Sequence, residues 1–229
     1  MIAILAGLFL PVLNKMRSKA QGIQCMNQIS QLGKAAQMYS TDYDGYLVLT
    51  VTHAAGFDPW TLVLAKWANN NNNKKYNPYI PSKTLYCPGI RQEWQPSKIF
   101  CTYGMWRGDQ DADYKAANSE KKKFFGDVMD NNSGHYIVIK RAKNLSRFPV
   151  YADTVFGNES HTDFQRPCWQ FFPNAFADNN SVAVYLLHNE RANMVYLDGH
   201  VAQENSTALY TGPMRIRKQF KGNYERVDL

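Results

Sequence analysis

The sequence predicts an α+β fold: a long N-terminal α-helix packed on a mainly antiparallel β-sheet, with a loop-rich insertion in the head. Three observations carry this reading. The segment 1–43 keeps a helical pattern without interruption. Residues 135–203 alternate short β-branched or aromatic runs with turn residues. Prolines gather between the two, at Pro78, Pro81, Pro88 and Pro96. A chain of 229 residues can bury one substantial core, and its 45% hydrophobic and 14% aromatic content excludes general disorder. The division that follows is a helix over 1–43 and a globular head over 44–229, with its loop-rich part at 69–134.

The helix has two halves. MIAILAGLFLPVL is apolar throughout, and thirteen residues at ~1.5 Å each reach about 20 Å, short of the ~30 Å core of a bilayer. Lys15 and Arg17 follow this run, whereas a signal peptide carries its positive charge before it. Ile2, Leu5, Leu8, Phe9, Pro11 and Leu13 therefore form a segment that only lipid or further copies of the chain would bury. Pro11 lacks a backbone donor and predicts a bend near the boundary between the halves. Over 14–43 the pattern turns amphipathic: Cys25, Ile29, Leu32, Ala36, Tyr39 and Tyr43 recur at steps of three and four, with Gln24, Gln28, Gln31, Lys34 and Gln37 elsewhere on the circumference.

Asp44-Gly45 ends the helix in a turn and opens extended structure. A short helix is expected over Trp60 to Ala68, and Asn69 to Asn73 form a loop because asparagine bonds its own backbone. Strands are expected at His135–Lys140, Pro149–Ala152, Ser181–His188, Ala192–Leu197 and His200–Gln203. Asp198-Gly199 reads as a two-residue type I′ hairpin turn.

The net charge of +7 is spread along the chain with no nucleic-acid motif beside it, so the expectation is a solvated basic surface and no nucleic-acid partner. No G-x-S-x-G, H-E-x-x-H or cysteine–histidine signature occurs, and no enzymatic activity is expected. His188 and Asp198 look like a reacting pair, yet the strand between them spans up to ~33 Å when extended. His188 is read as a strand anchor and Asp198-Gly199 as turn chemistry. Cys25, Cys87, Cys101 and Cys168 include no C-x-x-C pair and no Cys/His set at zinc spacing, which argues against a structural zinc site. Their even number after an apolar start points to an oxidising compartment, with three pairings open; four buried thiols are the alternative.

The chain IAILAGLFLPVLNKMRSKAQGIQCMNQISQLGKAAQMYSTDYDGYL, YCPG at Tyr86–Gly89, TYGMW at Thr102–Trp106, and His188 with Asp198 and Gly199 together resemble a known family. These features are similar to those of type IV pilin-like proteins and type II secretion pseudopilins, in the group with a prepilin-type N-terminal region and a C-terminal H-x9-DG motif. The resemblance implies a pilin-like fold and a structural subunit of a type IV pilus-like or pseudopilus filament. It also implies cleavage and N-methylation by a prepilin peptidase, and a helix held in the inner membrane with a periplasmic or extracellular head. Copies of the chain or related pilins would be its partners. The family's leader, cleavage-site glycine and nearby glutamate would precede Ile2, with Met1 standing where the middle of the hydrophobic helix falls. The alternative is a membrane-tethered module that binds a glycan or other surface ligand through exposed Trp94, Trp106 and Trp169 without polymerising.

Two site expectations remain. Asp109, Asp111 and Asp113 alternate, and Glu120 takes the twelfth position from Asp109, a spacing of hard oxygen ligands that resembles a calcium loop. Several pseudopilins bind calcium, so calcium is a candidate cofactor, set against a solvated acidic loop in which Lys115 and Lys121 to Lys123 compete for the carboxylates. Tyr114 occupies the position at which an EF-hand needs glycine. Cys25 lies on the core face of the helix, so a bond from it to Cys87 would tie helix to head. The first pairing considered is Cys25 with Cys87 and Cys101 with Cys168.

Overall fold

The computed structural model describes residues 2–54, 56–66, 78–90, 95, 98–132, 134–175 and 182–229. Asn69–Asn73 and Trp94 fall outside the described residues. The helices are α1 (Ile2–Asp42), α2 (Trp60–Leu64), α3 (Ala112–Lys115), α4 (Glu120–Phe125) and α5 (Ser206–Thr211). In chain order the strands are β1 (Tyr46–His53), β2 (Gly56–Pro59), β3 (Ala65–Lys66), β4 (Ile80–Pro81), β5 (Gly104–Trp106), β6 (Met129–Asp130), β7 (Gly134–Val138), β8 (Pro149–Ala152), β9 (Thr154–Phe156), β10 (Gln170–Phe171), β11 (Val182–Leu186), β12 (Arg191–Tyr196), β13 (Val201–Asn205), β14 (Lys218–Lys221) and β15 (Arg226–Asp228). The protein is α+β, with an N-terminal helix and antiparallel-rich sheets.

The strands divide among several sheets, where the sequence suggests a single one. They run β2-β1-β7-β6, β10-β5-β8-β12-β13, β15-β14-β11-β9 and β3-β4. The pairs β10/β5, β11/β14 and β3/β4 are parallel and the others antiparallel. β11 and β12 follow one another through the four residues Leu187–Glu190 but belong to different sheets. The separation is made at Asp153, between β8 and β9. Its N–H donates to Asn193 O on β12 at 3.0 Å, and its carbonyl accepts from Tyr185 N on β11 at 2.9 Å. One residue thus hands the chain from one sheet to the next.

α1 runs unbroken from Ile2 to Asp42, through Pro11. Cys25, Ile29, Leu32, Ala36 and Tyr39 are buried as their spacing predicts, and Ala35 joins them. This face packs on β1 and β12. Full burial of a side chain such as Ile29 or Leu32 stabilises by about 1.5–3 kcal/mol. Tyr43 departs from the expectation: it is 52% exposed, because the helix ends at Asp42 and Asp44 and Gly45, both at positive φ, turn the chain toward β1. Toward the N-terminus, Met16 to Ala20 cover more than a full turn and every one is exposed, as is Leu13 at 57%. The helix therefore leaves the head near Gly22.

The short helix begins at Trp60 as expected but gives way to β3 after Leu64. β8 has the expected bounds and β7, β11, β12 and β13 lie within two residues of theirs. The hairpin expectation needs two corrections. Between β12 and β13, Gly199 has φ +89° while Asp198 is not at positive φ. Gly199 N–H donates to Tyr196 O at 2.8 Å, so Leu197, Asp198 and Gly199 form a three-residue loop closed by a left-handed glycine. The type I′ signature lies earlier, at Asn189 (φ 55°) and Glu190 (φ 58°), where His188 and Arg191 exchange backbone hydrogen bonds of 3.0 and 3.2 Å.

Candidate functional site

Four elements converge beneath the point where α1 leaves the head. Cys25 comes from the buried face of α1. Cys87 follows the 3-10 turn Ser82–Leu85, and a bend at Cys87–Ile90 is closed by Ile90 N–H to Cys87 O at 3.1 Å. Asp153 is the residue between β8 and β9, and His188 opens the tight turn into β12. One ligand-type atom from each of the four lies within 4.8 Å of all the others. All four residues are buried, with exposures from 0% at Cys25 to 7% at His188.

Cys25 and Cys87 are joined as a disulfide with Cα atoms 5.2 Å apart, within the range such bonds require. His188 Nε2 lies 3.4 Å from Cys87 Sγ and 3.6 Å from Asp153 Oδ2. Asp153 Oδ1 lies 3.5 Å from Cys25 Sγ, while Oδ2 accepts the N–H of Asn193 at 2.7 Å. The Tyr103 hydroxyl completes the surround, 3.1 Å from Cys25 Sγ and 3.3 Å from Cys25 O. Two glycines flank the imidazole, Gly22 at ordinary contact distance and Gly89 more tightly. A Cβ on Gly22 would meet His188 Nδ1 at 3.4 Å, and one on Gly89 would meet Cε1 at 3.1 Å.

Burial sets the protonation of this cluster. It pushes the Asp153 carboxyl up to about 7, against the opposing pull of the Asn193 hydrogen bonds, and pushes the His188 imidazole down to about 4. Tyr103 is also raised by burial and then by Asp153. With no Lys or Arg in the quartet, desolvation favours the neutral forms. The arrangement can cross-link helix to head, and its sulfur, nitrogen and oxygen donors are the set that borderline-soft metals accept.

The other candidates have separate fates. Cys101 and Cys168 are buried thiols with no disulfide between them, contrary to the pairing considered; burial raises Cys101 to about 12. Each of the four carboxylates of the calcium expectation already has a side-chain partner. Asp109 receives Arg107 Nε and Nη2 at 2.7 and 2.6 Å. Asp111 caps α3 and takes Lys121 Nζ at 2.9 Å and Trp106 Nε1 at 3.1 Å. Asp113 accepts from Asn174, and exposed Glu120 pairs with Lys123 at 2.6 Å. Among the described residues, the only convergent group of three or more His, Cys, Asp or Glu is the quartet above.

His188 and Asp198 each have other partners: Asp198 Oδ1 lies 2.6 Å from His200 Nδ1. The Asp198-Gly199 loop instead holds the helix, with Gln37 Nε2 donating to Asp198 O at 2.7 Å and lying where a Cβ on Gly199 would sit. Asp198 thus bonds α1 at Gln37, and His188 stands beside it at Gly22. Trp106 (0% exposed) and Trp169 (6%) are core residues, which corrects their expected role as exposed ligand platforms. Ile2, Leu5, Leu8, Phe9 and Pro11 lie in the first turns of α1. Asp153 was missed by sequence reasoning; its available signal was a single acid inside PVYADTVF, an otherwise strand-like run. No family model, curated protein or solved structure matches the chain.

Proposed function

We propose that the protein is a non-enzymatic structural subunit of a type IV pilus-like or type II secretion pseudopilus filament, residing in the bacterial cell envelope and assembling with copies of itself or related pilins through α1. The observation that carries this reading is the division of one continuous helix. From Gly22 onward one face is buried in the head, while Met16 to Ala20 are exposed all round and the sequence before them is apolar. Such an end gains most from packing against lipid or against equivalent helices. Among the described residues, no helix is long and apolar enough to cross a membrane.

The Cys25–Cys87 bond supports the same role, since it pins the helix close to where it emerges. With 62 residues of sequence separation, closing this loop stabilises by roughly 4 kcal/mol in the chain-entropy account. A subunit pulled through its helix needs that attachment. The test is cysteine cross-linking in bacterial membranes with Leu13→Cys and Met16→Cys, whose positions are exposed. Ladders of cross-linked copies are expected, and deletion of residues 2–13 should abolish them. A chain that stays monomeric both in membranes and in detergent would instead favour a tethered module that does not polymerise.

A further inference from the structure

We propose that the Cys25, Cys87, Asp153 and His188 cluster is a zinc-class metal site when its disulfide is reduced, so that one buried quartet has two alternative cross-links, an S–S bond or a four-coordinate Zn²⁺. This inference is independent of the filament reading. Each residue supplies one donor, and the donors come from α1, the Cys87 bend, the β8–β9 junction and the turn before β12. The set of two thiolates, an imidazole and a carboxylate is one that Zn²⁺ takes in tetrahedral geometry.

The distances fit. Zinc bonds of about 2.3 Å to sulfur and about 2.0–2.1 Å to nitrogen or oxygen place neighbouring donors roughly 3.3–3.8 Å apart at tetrahedral angles. Cys87 Sγ–His188 Nε2 measures 3.4 Å, and Asp153 approaches Cys25 Sγ through Oδ1 at 3.5 Å and His188 Nε2 through Oδ2 at 3.6 Å, while one donor atom from each residue lies within 4.8 Å of the other three. The two sulfurs, bonded to each other here, must separate to about 3.8 Å, and the Asp153 carboxylate must turn a single oxygen toward the ion. Supporting groups are already placed: Asn193 N–H orients the carboxylate at 2.7 Å, and the Tyr103 hydroxyl stands 3.1 Å from Cys25 Sγ, where it can donate to a thiolate. These donors offset the single negative charge left when two thiolates and a carboxylate meet a divalent ion.

The exchange balances. A dithiol reductant delivers two electrons and two protons to the Cys25–Cys87 bond and is itself oxidised to a disulfide; Zn²⁺ then displaces the two thiol protons and the Asp153 proton where it is present. Of the four ligands, His188 borders a cleft of about 530 Å³ lined also by Gly22, Ile23, Met26, Arg191 and Gln203, the side from which an ion would approach. The absence of local zinc spacing in the sequence does not oppose this site, because all four ligands are brought together by tertiary structure.

The experiment uses the full chain, reduced anaerobically with dithiothreitol, freed of it by gel filtration and titrated with Co²⁺ and then Zn²⁺. One Co²⁺ per chain is expected, with thiolate-to-cobalt charge-transfer absorption and intense tetrahedral d–d bands that Zn²⁺ abolishes. Oxidised protein should take up none. His188→Ala should weaken Co²⁺ binding at least tenfold, whereas Cys101→Ser should leave the spectrum unchanged. If reduction unfolds the chain, refolding upon Zn²⁺ addition would support the site. Reduced protein that binds no Co²⁺, folded or not, overturns it, as does a cobalt spectrum without thiolate bands or one lost in Cys101→Ser.

Discussion

Two buried polar clusters in this protein solve the same problem in opposite ways. Around Trp106, each acid has its own cation: Arg107 grips Asp109 with both carboxylate oxygens engaged, and Lys121 reaches both oxygens of Asp111. Beneath α1, Asp153 faces an imidazole, sulfur, a hydroxyl and a backbone N–H, with no Lys or Arg in the quartet. The first cluster keeps its charges by pairing them, and the second sheds its charges by taking neutral forms. The acids of the first come from a run that looks like a cation loop, yet its carboxylates are already committed. The ligand-like geometry lies in the second, whose members span residues 25 to 188.

The comparison breaks most readily at Lys121. Removing its ammonium by Lys121→Met strands Asp111, which is 1% exposed, and an orphaned partner of a buried ion pair costs roughly 3–5 kcal/mol. Urea unfolding should show this loss, and a cost below about 1 kcal/mol would mean that the pair does not hold α3 and α4 in place. Next in size is the sulfur bond of the other cluster. Cys87→Ser should lower stability by roughly 2–4 kcal/mol under oxidising conditions and change little under reducing ones. An equal loss in both conditions would assign the effect to packing at Cys87 rather than to the cross-link.

The protonation contrast gives a pH test in the disulfide form. Asp153, raised to about 7 by burial, contributes stability that is fully present below about 4 and lost as pH rises through 7. His188, lowered to about 4, contributes stability present above about 6.5 and lost as pH falls through 4. Between pH 4 and 6.5 the two slopes have opposite signs, each up to ~1.4 kcal/mol per pH unit, and nearly cancel. His188→Asn should therefore expose a stability that falls as pH rises from 4 to 7. Asp153→Asn should expose one that rises from 4 to 6.5. Parallel slopes in the two variants, measured by urea unfolding across this range, would refute neutral burial of the pair.

In the second cluster Cys25, Cys87 and His188 were readable as residues and Asp153 was not, for a physical reason. Helical phase alone placed Cys25 on a buried face, and it failed only at Tyr43, where the helix had ended. Turn chemistry found a turn at Asp198-Gly199 but not its type, because the type I′ geometry sits at Asn189-Glu190, where no glycine announces positive φ. Asp153 depends on which strands its backbone joins, and that is decided by the split between two sheets. Periodicity of 2 or 3.6 carries no information about such a junction. The acidic run was partly legible: Lys121 and Lys123 stand among the lysines expected to compete for its carboxylates and hold Asp111 and Glu120, while the partners Arg107 of Asp109 and Asn174 of Asp113 became apparent only through contacts.

The smallest expected effect sharpens the same contrast at Glu120. It is the one carboxylate of the acidic run that is fully exposed with a solvent-exposed partner, Lys123 at 2.6 Å in the first turns of α4. The pair lowers the Glu120 pKa through the Lys123 hydrogen bond and charge, but exposed pairs of this kind contribute little to stability because solvent screens them. Glu120→Gln should leave the unfolding midpoint unchanged within measurement, both with and without millimolar calcium. If calcium instead raised the midpoint of the parent protein and Glu120→Gln removed that gain, Glu120 would have to be released from Lys123 to serve the ion. The buried partners Arg107 and Lys121 would then have to release their acids as well, and the division between a cluster of committed charges and a cluster of open donors would no longer hold.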